Sequence, residues 1–253
     1  MYNFINIIRK LKHFIRSIAN IYFLNKNKNV LIHPWLFAEI TLIKYLKQTK
    51  MKKQNLYIIG GYHGEEINEL ISTKKIKHIT VFEPVVENFK VLKESYYLNN
   101  NLTFVNAAVS NKNGLAHFNE VNIAGSGSIL KPNAFSKKSW GTKVKKKFLV
   151  STVKLDTYCK INKSYPDILW IDVQGLELEV LKSAKSILKK VGIILVEISI
   201  FNPTYYKAAI FSEIVNFLEK YSFKPMQLGT DFYNGTGNAL FFKNNVTFFN
   251  FRQ

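Results

Sequence analysis

From residue 56 onward, short apolar runs alternate with stretches of helical periodicity, and this alternation constrains the fold more than any other feature. Leu56-Tyr57-Ile58-Ile59 is an apolar run of strand length that ends in Gly60-Gly61. Glu65 to Ser72 reads as a helix and His78 to Phe82 as a second strand. Val85, Phe89, Leu92 and Tyr96 mark one face of the next helix, and Leu102 to Val105 follows as a third strand. The pattern returns with a strand at Ile168 to Ile171 and a helix at Leu176 to Lys189. A strand at Gly192 to Ile198 and a helix at Ala208 to Tyr221 complete it. Strands separated by helices are joined by right-handed crossovers into a parallel sheet. Phe223 to Leu228 and Ala239 to Lys243 have no helix between them and predict an antiparallel pair at the sheet edge. The expected fold class is α/β: a doubly wound, mostly parallel sheet with that antiparallel edge pair, preceded by N-terminal helices.

A chain of 253 residues suits one large α/β domain with a single core. Residues 4 to 22 place Phe4, Ile7, Ile8, Leu11, Phe14, Ile15, Ile18 and Tyr22 at helical spacing opposite a basic face. Such a helix suits packing on the domain or on a second subunit as a homo-oligomer. It also suits peripheral contact of residues 1–24 with an anionic membrane surface. A second helix is expected from Pro34 to about Lys47, with Leu36, Ile40, Ile43 and Leu46 inward. These helices form an extension over residues 1–50, and the α/β domain occupies 51–253. Residues 107–150, rich in glycine and carrying Lys143, Lys145, Lys146 and Lys147, read as short strands and loops inserted over the sheet's carboxyl edge.

The 36 basic residues outnumber 17 acidic ones, for a formal charge of +19. A field of that sign attracts anions: nucleic acid, nucleotide-linked sugars, phosphorylated glycans or acidic membrane surfaces. The single cysteine, Cys159, excludes a disulfide framework, reads as a buried inert thiol and fits a cytoplasmic location. No apolar stretch of membrane-spanning length occurs, and basic residues interrupt the apolar N-terminus, so neither a span nor a secretory signal is expected. Nothing resembles a nucleophilic triad or a zinc site.

Two constellations point to a nucleoside-bearing ligand. Gly60-Gly61-Tyr62-His63-Gly64-Glu65 lies between a strand and a helix, where glycines permit a tight turn and close backbone approach. The helix start offers N–H groups to a carboxylate or phosphate. Phe82-Glu83-Pro84 ends the next strand, and Glu83 stands 19 residues after Gly64. An acidic residue about 20 positions beyond a glycine turn accepts hydrogen bonds from ribose hydroxyls. At this point nicotinamide dinucleotide and S-adenosylmethionine fit equally.

The third constellation is Ile168-Leu169-Trp170-Ile171-Asp172-Val173-Gln174-Gly175-Leu176-Glu177. Here the chain resembles the FkbM family of methyltransferases, whose pattern is close to lysine-isoleucine-aspartate-valine-glutamate-glycine-x-glutamate. Phe82-Glu83-Pro84 with Glu87-Asn88-Phe89, Asn106 to Ser110 with Gly114, and Gly125 to Leu130 are similar to further family blocks. So are Leu155-Asp156 and Gly237-Asn238-Ala239. The resemblance runs from about residue 55 to 243. It departs at Ile58, Trp170 and Gln174, where the family usually has an acidic residue, lysine and glutamate.

The resemblance implies a Rossmann-like methyltransferase fold, S-adenosylmethionine as methyl donor and O-methylation of hydroxyls on sugars and other natural products. By the same match, Gly60, Gly61 and Gly64 form the cofactor loop, Glu83 holds the ribose, and Asn106 with Ala107 lies near the adenine. Asp172 ends an apolar strand at the crevice where ligands bind in such sheets. Glu197 ends the neighbouring strand, so the two carboxylates are the catalytic candidates and, with water, candidate ligands of Mg²⁺ or Mn²⁺. His63 is the third catalytic candidate, and Gln174 and Glu177 are the substrate-side candidates. The expected acceptor is a small molecule or glycan, anionic or nucleotide-linked, as in synthesis of a surface polysaccharide. The alternatives are an RNA methyltransferase, against which stands the lack of an RNA-binding module, and a non-catalytic protein that retains the fold.

Overall fold

A computed structural model describes residues 36–230, 235–244 and 246. The helix expected over residues 4–22 and the helix start at Pro34 lie outside the described residues. The first described helix, α1 (Phe37–Gln48), buries Ala38, Leu42, Ile43, Tyr45 and Leu46. Leu36 and Ile40 are only half-buried, so the inward stripe is rotated from the expected one. The stripe joins the sheet's core beside Ile58, Trp170, Leu195 and Phe242.

The next elements follow the alternation: β1 (Gln54–Ile59), α2 (Ile67–Ser72), β2 (Ile76–Phe82), α3 (Val86–Ser95) and β3 (Leu102–Val105). The segment after β3 folds into β4 (Ala108–Val109), β5 (Gly114–Val121), α4 (Ala134–Trp140) and β6 (Val144–Val153). Then come α5 (Leu155–Asn162), β7 (Ile168–Ile171), α6 (Glu177–Ser183), β8 (Ile193–Ser199), α7 (Phe211–Glu219), β9 (Phe223–Thr230) and β10 (Thr236–Lys243).

Seven strands form one sheet in the order β3-β2-β1-β7-β8-β10-β9. The first five are mutually parallel, and β10 runs antiparallel to both β8 and β9. The C-terminal pair exists as expected, with β10 inserted beside β8 and β9 taking the edge. β1, β7 and β8 are apolar almost throughout because helices cover both sheet faces. Two core clusters result, one on each face.

Two expectations change. The segment 107–150 is not a set of short strands: β5 and β6 are long and pair antiparallel, with β4 on the other side of β6. Phe118 and Val150 alternate inward to a small core with Ala108, which gives this sheet an apolar face of its own. The helix expected over Leu176 to Lys189 is broken after Ser183. The Asp156 carboxylate accepts from the backbone N–H groups of Ser186 and Ile187, starting a separate 3₁₀ turn at Ile187–Lys189. Apolar spacing alone does not reveal a cap supplied by a residue thirty positions away.

Candidate active site

The strand order reverses between β1 and β7, and ligands of open α/β sheets bind at the carboxyl ends beside such a switch. A cleft of about 840 Å³ opens there. Its walls are the glycine turn, the start of α3, Ala107 to Val109, the turn after β7 and the segment Glu120 to Gly127. The cavity is within the range of about 300–1,000 Å³ of small-molecule and cofactor sites.

Gly60 is required where it stands. Its φ is +91°, and a Cβ there would lie 1.8 Å from the Asp172 carbonyl oxygen. The expected role of the turn's N–H groups is corrected. Gly60 N and Gly61 N both donate to the Phe82 carbonyl, Gly64 N to the Gly61 carbonyl and Tyr62 N to the Glu83 carboxylate. Gly60, Gly61 and Tyr62 hold the turn to the end of β2 and Gly64 closes it on itself, so these four amides are spent within the protein and the turn gives the cleft its shape. His63 stacks on Tyr62, with ring centroids 3.8 Å apart, and is not among the residues lining the cleft.

Glu83 lines the cleft and is only 4% exposed. Its Oε2 accepts from Tyr62 N at 2.8 Å; its Oε1 accepts from Val85 N at 2.8 Å and from Asn88 Nδ2 at 3.3 Å. A carboxylate offers about four acceptor positions, so capacity remains at Oε2. Burial pushes the Glu83 carboxyl up to about 7 against these hydrogen bonds. Asn106 donates from Nδ2 to the carbonyls of Glu83 and Pro84, bracing that turn from an exposed position. Its neighbour Ala107 is buried and lines the cleft.

Asp172 and Glu197 stand on adjacent strands. Trp170 pairs with Leu195, so the residue two beyond each falls on the same face in the same row. Gln174 joins them: its Nε2 donates to Asp172 Oδ1 at 2.7 Å and to Glu197 Oε2 at 2.9 Å, which uses both amide hydrogens. Gln174 holds a left-handed φ of 56°, and its carbonyl accepts from Ser128 Oγ at 2.8 Å. A non-glycine residue in that region costs about 1–3 kcal/mol, and such strain clusters at functional sites. Burial first, then the charges of Asp172 and Glu177, raise the Glu197 carboxyl well above its ordinary range.

Two assignments change. Glu177 is buried, and its Oε1 accepts from Val173 N at 3.1 Å and Gly175 N at 3.0 Å. It braces the turn that carries Asp172 and does not face the cleft. Its carboxyl rises to about 7, chiefly through burial. A divalent cation at Asp172 and Glu197 finds no support, because the Gln174 amide occupies the bridging position between them. Among the described residues no group of three or more His, Cys, Asp and Glu side chains is arranged to hold a metal.

Sequence reasoning missed Tyr62, Asn88, Ser128 and Tyr205. Tyr205 donates from its hydroxyl to the Ser126 carbonyl and packs beside Gly175, tying the segment Glu120 to Gly127 to the turn after β7. Asn88 and Ser128 carried a signal, each within a block similar to the family's, and Tyr62 lies in the glycine turn; Tyr205 carried none. Cys159 is buried as expected, and burial lifts its thiol to about 11. No described helix is long and apolar enough to cross a membrane.

No curated protein matches the sequence. The fold is similar to that of a methyltransferase FkbM from Methylobacillus flagellatus KT, with TM-score 0.50 and 15% identity, over 90% of this chain and 59% of that one. The chain thus spans less than two thirds of that protein's length. An rRNA methylase from Streptococcus thermophilus shows TM-score 0.49 at 11% identity, over 85% of this chain and 99% of its own. Aeropyrum pernix fibrillarin, crystallised with natively bound S-adenosyl-L-methionine, shows TM-score 0.46 at 11% identity, over 79% of this chain and 72% of its own. At these identities the likeness concerns the fold alone. The model of the methyltransferase FkbM domain matches residues 59–225, which hold the glycine turn, Glu83, Asp172 and Glu197. On that match, the chain belongs to the FkbM methyltransferase family.

Proposed function

We propose that this protein is an S-adenosylmethionine-dependent O-methyltransferase acting on a sugar hydroxyl. The observation that carries the reading is the half-buried Asp172–Gln174–Glu197 cluster beside a cleft at the strand-order switch.

The residues present suit the donor. Glu83 retains acceptor capacity for ribose hydroxyls, and Val85, Ala107 and Val109 give the adjoining cleft an apolar lining of the kind an adenine ring needs. When bound, the sulfonium supplies an activated methyl group to an acceptor oxygen in line with it. The chain's own part is alignment and proton removal. Holding the reacting groups in line supplies much of the rate. A sugar hydroxyl loses its proton as the new bond forms, and Asp172, at the cleft wall, accepts it. Burial first, then the charges of Asp172 and Glu177, favour the neutral form of Glu197. The Gln174 amide fixes both carboxyls, so Asp172 does not reorganise as the proton arrives.

The test is calorimetric titration with S-adenosylhomocysteine, with NAD⁺ as control, followed by methyl transfer to a panel of sugars. Binding of the first alone and methylation of a sugar are expected. A folded protein that binds neither compound would end the enzymatic reading. A pH effect is also expected. Ribose hydroxyls donate to the ionised form of Glu83, so a proton competes with the ligand. With that carboxyl near 7, affinity for S-adenosylhomocysteine should weaken about tenfold between pH 8 and pH 6. Equal affinity at the two pH values would remove Glu83 from the ribose site.

A further inference from the structure

We infer that the cleft selects an acceptor bearing an oxyanion, a phosphate in the first instance, through Lys145 and Lys146. The inference rests on the sugar-acceptor reading above and names the class of sugar.

The geometry begins with an irregularity. β5 and β6 pair in register from Gly114↔Thr152 to Glu120↔Lys146, and the next partners are Val121↔Val144. Lys145 is therefore an extra residue on β6. Consecutive side chains on a regular strand point to opposite faces, and only one lysine of such a pair would reach a given cleft. A bulge re-aims a side chain, and here both Lys145 and Lys146 line the cleft. The same stretch of β5 leads into the cleft-lining segment Asn122 to Gly127. Asn122 exchanges hydrogen bonds with Lys143, Gly125 lies against the Tyr62 ring, and Ser128 donates to the Gln174 carbonyl. The bulge is thus anchored at one end to the glycine turn and at the other to the Asp172 turn.

Among the described residues, neither ammonium has a carboxylate within ion-pairing distance. Lys146 Nζ lies over the Phe148 ring, 5.1 Å from its centroid, which limits its rotamers without neutralising its charge. Two adjacent ammonium groups at the wall of a cleft, neither held in an ion pair, attract an oxyanion as point charges. Glu120 also lines this wall, so a bulky polyanion that contacts the whole rim is disfavoured relative to one compact anionic group.

The experiment uses the full chain and three sugar probes: a neutral methyl hexoside, a hexose 1-phosphate and a hexuronate. A nucleoside-diphosphate hexose and a single-stranded RNA complete the panel. Binding is read by calorimetry in wild type, in K145A/K146A and in K185A/K189A. The last pair sits before β8, at the opposite end of the sheet, and controls for net charge. S-adenosylhomocysteine affinity is measured in every variant as the control for folding. The phosphate-bearing sugars should bind at least tenfold more tightly than the neutral hexoside. That advantage should vanish in K145A/K146A and persist in K185A/K189A, with S-adenosylhomocysteine affinity unchanged. Comparison of the hexuronate with the phosphates separates carboxylate from phosphate as the group read. Methylation of neutral and phosphorylated sugars at equal efficiency would overturn the inference while leaving the methyltransferase reading intact. An equal loss in both double variants would assign the effect to bulk charge and overturn it too. RNA bound through Lys145 and Lys146, with no sugar phosphate bound, would overturn both the inference and the sugar acceptor.

Discussion

Asp172→Asn should lower the turnover of methyl transfer by about 10²–10⁴-fold, the range a positioned general base contributes, and should leave S-adenosylhomocysteine affinity within about threefold. Asparagine keeps the size of the side chain but accepts no proton. It also confronts the Gln174 amide, which donates to Asp172 at 2.7 Å, so half of the asparagine rotamers set donor against donor. Glu197→Gln is the informative partner. Burial and the neighbouring charges favour the neutral form of Glu197, which a neutral amide resembles. The loss should be smaller, with the acid limb of the pH–rate profile displaced. Glu197, whose carboxyl is raised by burial and by the charges of Asp172 and Glu177, no longer titrates in that variant. Steady-state rates across pH for the two variants are the measurement. Turnover of the asparagine variant within tenfold of wild type would remove Asp172 as the base and leave it a positioning role.

The second large effect concerns stability. Gly60→Ala should cost about 2–5 kcal/mol. Of this, roughly 1–3 comes from forcing atoms into a packed space and about 1–2 from the left-handed backbone. The added Cβ would lie 1.8 Å from the Asp172 carbonyl oxygen, and the Gly60 φ is +91°. Relief would require β1 and β7 to separate, and the Asp172 N–H bond to the Ile59 carbonyl at 2.9 Å opposes this. Gly141→Ala isolates the two contributions: its φ is +62°, and nothing lies within 4 Å of the added carbon. Thermal unfolding followed by circular dichroism should place the Gly60 variant roughly 5–15 °C below wild type, and the Gly141 variant only a few degrees below. Equal losses in the two would mean that the contact between the turn and the Asp172 backbone is not made. Activity of the Gly60 variant should fall as well, since the carbonyl it displaces belongs to Asp172.

The alternation of apolar runs with helical stretches determined the parallel sheet, because burial on both faces demands continuous apolar strands and each crossover demands a helix. It also determined where the candidate site would fall. Residues that end parallel strands share one edge, so Gly60, Glu83 and Asp172 could be grouped from their positions alone. What each does there was decided by contacts between residues far apart in the chain. The amides of the glycine turn were free to bind an anion in any local reading. Only the packing of β1 on β2 turns them inward to Phe82 and Glu83. Glu177 and Gln174 were equivalent candidates in a line of sequence, yet one braces a turn and the other joins two carboxylates from different strands. The separate turn at Ile187–Lys189 depends on Asp156, and the paired lysines at the cleft depend on a register shift between β5 and β6. Periodicity reports which face of an element is buried. It carries no information about which distant hydrogen-bonding partner arrives there, and in this protein those partners define the site.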